Sequence, residues 1–362
     1  MHGIGLTKFM SNSVPVIIAS VALFRLSSTE TLSAATESYF NLPIPDQMAL
    51  LSLLFTLVYS AVTVATFVGA SGADHHDHDH TPPPQYPLKE ISAATTERER
   101  FLCLFPTLRD SIATHMADNH EMPAEAVNWV LEMVDYTCPG GKLNRGLTVL
   151  SVARTFAAPR ELTPIEEARA CVLGWAIEFL QAFFLVADDL MDGSKTRRGS
   201  PCWYLLPKVN NIAINDSFLL ESFVFTFIKQ HFREEPYYTE LLELFLEVTQ
   251  QTEFGQLLDL TSQPMDSKTI DLSRFTLERY KLIVKYKTAF YSFYLPVAIG
   301  MIMSGVKDKT AYKSAKKICC LMGEYFQIQD DVLDCYGAPE VIGKGKFTFG
   351  NIFWCTYECK IH

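Results

Sequence analysis

The sequence predicts an all-α protein, and three observations carry that expectation. From about Ile91 onward apolar residues recur at helical spacing, with few alternating runs. Residues 164–192 form one apolar stretch in which only Gly174 interrupts before Gly193. A second long pattern runs from about Ala311 to Tyr336 and stops at Gly337 and Pro339. Long, nearly uninterrupted helices imply a large bundle. At 362 residues, 48% apolar and 20% charged, the chain can bury a core and is neither disordered nor collagen-like. A net charge of −10 argues against a nucleic-acid partner and favours a cationic or metal-bound one. The nine cysteines are scattered without paired spacing, which reads as reduced thiols.

Residues 1–87 differ from everything after them. Met48 to Ala73 carries no charge and is long enough to cross a bilayer, so a transmembrane helix over 48–73 is expected. The alternative is a processed leader, because the first 29 residues hold Lys8 and Arg25 but no acid. These readings place the protein on a membrane with its main domain in the cytosol, or in the mitochondrion, or in the cytoplasm. The tract DHHDHDH at 74–80 suits weak transition-metal binding. A polar stop after an apolar helix accounts for it better, since the following TPPPQYP is an extended linker that holds no rigid cage. The helical domain is expected over 91–344.

Within that domain Phe101, Leu104, Phe105 and Leu108 form the first stripe. Pro139 to Gly146 is a glycine-rich turn whose Lys142 and Arg145, three apart, suit an anion. Thr163-Pro164-Ile165-Glu166 supplies an N-cap, a first-turn proline and a capping-box glutamate for a helix of about 29 residues. Arg197 and Arg198 follow it, and Leu241, Leu242, Leu244, Phe245 and Val248 make a later stripe.

Both long helices end in acids. Asp188, Asp189 and Asp192 close the first and Asp330, Asp331 and Asp334 the second, each spelling D-D-x-x-D. A helix C-terminus carries about −0.5 charge and disfavours acids, so something cationic should offset them. Spacing i, i+4 stacks Asp188 on Asp192 and Asp330 on Asp334. Oxygen-only clusters of this kind suit Mg²⁺ bridging to substrate phosphates. With the basic turn and Arg197 and Arg198 nearby, the substrates are expected to carry diphosphates.

GGKLNRG at 140–146, EFLQAFFLVADDLMDGSKTRRG at 178–199, KYKTAFYSFYLP at 285–296 and GEYFQIQDDVLD at 323–334 together resemble the farnesyl diphosphate synthases of the animal type. The resemblance covers about Thr95 to Lys344 in the family's order and spacing. It implies an isoprenoid-synthase-type bundle around a central cavity, a homodimer, and three Mg²⁺ held by Asp188, Asp189, Asp192, Asp330, Asp331 and Asp334 around an allylic diphosphate. Arg197, Lys287 and Lys344 would add positive charge there. Lys142, Arg145, Gln181 and Arg198 would bind isopentenyl diphosphate. Lys287, Thr288 and Gln327 would offer oxygens to an allylic cation, with Tyr291 near the diphosphates.

Phe184 lies one turn, about 6 Å, below Asp188 on the same face, with Phe183 beside it. Ordinary core packing explains such a pair. In the family these positions set chain length, and two phenylalanines imply a product of fifteen carbons. Some insect terpene-forming enzymes resemble the family but cleave a preformed prenyl diphosphate; Lys142, Arg145, Gln181 and Arg198 favour the coupling reaction. After Lys344 the family continues with further helices, whereas residues 345–362 read GKFTFGNIFWCTYECKIH. An incomplete bundle, or an inactive isoform, is the remaining expectation.

Overall fold

The computed structural model describes residues 85–262 and 272–336, all within the compact unit Asp79–His362. The expected transmembrane span 48–73, the tract 74–80, Lys344 and the tail 345–362 lie outside the described residues. Helices account for nearly all of it: α1 (Leu88–Ala93), α2 (Glu97–Thr114), α3 (Ala124–Thr137), α4 (Asn144–Ala157), α5 (Pro164–Asp192), α6 (Ile212–Phe232), α7 (Tyr238–Leu260), α8 (Leu277–Ile283), α9 (Leu295–Met303) and α10 (Lys309–Tyr336). A two-stranded antiparallel ribbon, Thr196–Arg197 with Ser200–Pro201, follows α5. The helical body starts earlier than the expected residue 91. Tyr86, read as linker, packs on the core and bonds His231 Nδ1 at 2.9 Å. Its ring is apolar surface that packing on the core removes from water.

The central element is α5. The Thr163 hydroxyl accepts from Glu166 N, the Glu166 carboxylate accepts from Thr163 N, and Gly193 ends the helix in the left-handed region at φ 64. By length and composition α5 could cross a bilayer, yet it is the core of the bundle, with Ala170 to Leu180 continuously buried. Trp175 stacks on Phe101 at 4.7 Å and donates Nε1–H to the Phe101 carbonyl at 2.9 Å. Each large apolar side chain buried this way is worth roughly 1.5–3 kcal/mol. Gly174 is the one interruption for a steric reason: a Cβ there would sit 2.6 Å from the Gly146 carbonyl oxygen, so glycine lets α4 lie against α5.

Between α8 and α9 the chain stays helical but widens, and Val284–Tyr294 forms a π-helical stretch. Such stretches are rare and frequently mark functional sites. This one packs against α7 on one side and α10 on the other. Cys103, Cys138, Cys171, Cys202, Cys319 and Cys320 are free thiols.

Candidate active site

At its C-terminus α5 presents Asp188, Asp189 and Asp192 against the dipole preference, and cations from two other elements balance them. The ribbon turns Arg197 back onto Asp189, with Nη2 2.6 Å from Oδ1. From the π-helical stretch, Lys287 Nζ reaches Asp188 Oδ1 at 3.2 Å and Asp259 Oδ2 of α7 at 2.6 Å. Gln256 Nε2, also from α7, donates to Asp188 Oδ1 at 2.8 Å. Burial would push the Asp188 carboxyl up, but Lys287 and Arg197 hold it below the usual range. Burial likewise opposes the charge of Lys287, and Asp188 and Asp259 outweigh it, so its ammonium is held above the usual range. Asp192, with burial and then Asp188 against it, is pushed up to about 7.

The second acidic end is tied to the first through adjacent residues. Thr288 follows Lys287, and its hydroxyl donates to Gln327 Oε1 at 2.6 Å; Gln327 Nε2 donates to Asp331 Oδ1 at 2.8 Å. The Tyr280 hydroxyl of α8 donates to Asp331 Oδ2 at 2.5 Å. Asp330 is half-buried beside it, and the Asp334 side chain lies outside what is described. Among the described residues no three acidic, histidine or cysteine side chains converge to cage an ion unaided. Arg197 and Lys287 already engage two of the carboxylates. Mg²⁺ needs no such cage, since it binds through one or two carboxylates, waters and substrate phosphates. The all-oxygen donor set therefore fits magnesium arriving with a diphosphate.

The residues expected to bind an anion meet the π-helical stretch one turn further along. Arg145, at the start of α4, donates to Ser292 Oγ (2.8 Å) and Tyr291 Oη (3.1 Å), and its guanidinium lies 4.9 Å over the Tyr291 ring. With its amide oriented to satisfy both neighbours, Gln181 accepts from Arg145 at 3.2 Å and donates to Glu178 at 3.0 Å. Glu178, 2% exposed, accepts from Gly146 N at 2.9 Å. Burial pushes its carboxyl up while that N–H, Arg145 and Arg198 pull it down. Arg198 packs its guanidinium on Gly140 and Gly141, 3.0 Å from where a Gly141 Cβ would be. Burial, then Arg197 and Arg145 among its neighbours, weakens its hold on a proton. Lys142 is exposed. Below the acids, the Phe184 ring lies 4.6 Å from Phe183 and 5.7 Å from Tyr291.

Gln256, Asp259, Tyr280, Glu178 and Ser292 escape the sequence reading. Gln256 and Asp259 stand at i, i+3 on α7, a spacing too common to single out. Gly255 beside them is the one signal: a Cβ there would lie 2.1 Å from Lys287 N, so glycine permits α7 to touch the π-helical backbone.

Residues 127–349 match the polyprenyl synthetase family model. The chain is 54% identical over 259 residues to the farnesyl pyrophosphate synthase of Candida albicans, covering 70% of this chain and 72% of that one. It is 51% identical over 259 residues to the Gallus gallus enzyme of that name, covering 71% and 70%. Among solved structures, T. brucei farnesyl diphosphate synthase complexed with risedronate superposes with a TM-score of 0.64 at 40% identity, covering 69% of this chain and 73% of that one.

Proposed function

Because the chain belongs to the polyprenyl synthetase family, we infer that it is a prenyltransferase of isoprenoid biosynthesis that joins isopentenyl diphosphate to dimethylallyl or geranyl diphosphate and releases farnesyl diphosphate. One observation carries the reading: Lys287 and Thr288, neighbours on the π-helical stretch, link the acidic end of α5 to that of α10.

Arg145, Gln181 and Arg198, with the exposed Lys142, hold the diphosphate of isopentenyl diphosphate. Arg197 and Lys287 stand at Asp189 and Asp188, so positive charge is fixed beside the allylic diphosphate before the C–O bond breaks. Lys344, outside the described residues, would add to it. Asp188, Asp189, Asp192, Asp330, Asp331 and Asp334 would hold Mg²⁺, which when bound would add to the neutralisation of the leaving diphosphate. When that bond breaks, both electrons leave with pyrophosphate and an allylic cation remains. The Thr288 hydroxyl spends its proton on Gln327, which donates in turn to Asp331, so the Thr288 oxygen keeps its lone pairs for the cation. The isopentenyl double bond then forms the new C–C bond, and pyrophosphate takes the proton lost.

The same reading includes three Mg²⁺ per site, a homodimer and attachment to a membrane through 48–73. Exposed Phe218 of α6 and Phe254 and Leu257 of α7 are apolar surface that a second copy would cover. Metal removal tests the chemistry: coupling of isopentenyl and geranyl diphosphates stops with chelator and returns with Mg²⁺. Coupling unaffected by chelator overturns the metal assignment.

A further inference from the structure

The end of α2 carries a histidine pair with no part in the site above. After Thr114 the helix widens into a π-helical turn, His115–Asn119. In an α-helix residues i and i+4 stack, whereas a π-turn, bonded i to i+5, brings residues five apart together. His115 and His120 are five apart, and their Nε2 atoms lie 3.2 Å from each other with the rings edge to face at 89°. The turn is held from below: Met116 is buried, and Met122 N donates to the Met116 carbonyl at 2.9 Å across the loop. Glu121 has φ 52, the left-handed step that folds the chain back.

Two imidazole nitrogens bound at 2.0–2.1 Å to one tetrahedral ion stand about 3.3 Å apart. The His115–His120 separation already matches that span. His120 is exposed, so water reaches the position between the rings and can complete the coordination shell. Asn119 Nδ2 lies 3.2 Å from His115 Nδ1. A neutral His115 that carries its proton on Nδ1, beside Asn119, presents the Nε2 lone pair to a metal. The N–H···N bond between the rings is then replaced by two N–metal bonds: the bridging proton leaves its Nε2 and the same ring takes up a proton at Nδ1, so that both Nε2 lone pairs face the ion with no net proton gained or lost.

We propose that His115 and His120 form a surface site for a divalent transition ion such as Zn²⁺, separate from the magnesium site and linking the end of α2 to the loop before α3. The test is Zn²⁺ binding to the full chain in saturating Mg²⁺, in a background with His75, His76, His78 and His80 replaced by alanine so that the N-terminal tract does not compete. The expected result is one Zn²⁺ per chain, with affinity at least tenfold weaker in both His115→Gln and His120→Gln. Glutamine keeps a hydrogen-bonding side chain at each position, so a purely structural pair leaves Zn²⁺ binding unchanged. Cu²⁺ in place of Zn²⁺ should give an electron paramagnetic resonance signal of two coordinated imidazoles, reduced to one in either variant. Equal Zn²⁺ binding in all three proteins, or a Cu²⁺ signal indifferent to both substitutions, overturns the proposal.

Discussion

Arg145 does more than carry charge. Its planar guanidinium reaches Ser292, Tyr291 and Gln181 at once, a fan of donors that lysine cannot reproduce. Arg145→Lys should raise KM for isopentenyl diphosphate by about ten- to a hundredfold and leave KM for geranyl diphosphate nearly unchanged, read from steady-state kinetics with each substrate varied. At Thr288 the isosteric change to valine removes the oxygen but keeps the shape. There kcat should fall roughly ten- to a hundredfold with both KM values near wild type, because the lost interaction belongs to the cationic transition state. Phe184 is a matter of volume. Taking its ring from beside Phe183 and Tyr291 opens the floor below the acids, so Phe184→Ala should yield products longer than fifteen carbons. Chromatography showing only the fifteen-carbon product would contradict that role.

Among the elements, α5 is the most legible in sequence and the π-helical stretch the least. Both termini of α5 are written locally, in Thr163-Pro164-Ile165-Glu166 and in Gly193, and the helix found has the expected length. Thr163→Ala should cost about 1 kcal/mol and lower Tm by about 2–4 °C in a thermal melt. The π-helical stretch has no comparable local signature, since its register is set by what packs on it from α7 and α10. Lys287, Thr288 and Gln327 are therefore reached by resemblance, while Asp259, which pairs with Lys287, and Gln256 and Tyr280, which donate to Asp188 and Asp331, are not reached at all. Contacts across 28 to 99 positions, such as Lys287 with Asp259 and Asp188, leave no periodicity to read. Gly255 gives the matching test. Alanine there must push the π-helical backbone off α7, so Gly255→Ala should destabilise the fold by about 1–3 kcal/mol in denaturant melts and lower kcat through the displaced Lys287.

The whole molecule carries a pH dependence of stability away from its site. His231 is buried under Tyr86, near the Arg169–Glu235 ion pair, and burial followed by the Arg169 charge pushes its imidazole down to about 4. The unfolded chain takes up that proton below about 6.5, whereas the folded one does not until about 4. This contribution to stability is therefore full above pH 6.5 and is lost as pH falls toward 4, by an amount on the order of 3 kcal/mol. Denaturant melts of His231→Gln should flatten that window relative to wild type. Function rests on a larger arrangement, in which an acidic chain concentrates carboxylates at two helix ends and sets Arg145, Arg197, Arg198 and Lys287 around them. The claim that this arrangement couples two diphosphates is tested most directly by the product. Given Mg²⁺, isopentenyl diphosphate and geranyl diphosphate, the purified chain should release farnesyl diphosphate and pyrophosphate, identified by mass. A hydrolysed or cyclised ten-carbon terpene, or no product from a folded protein, would contradict it.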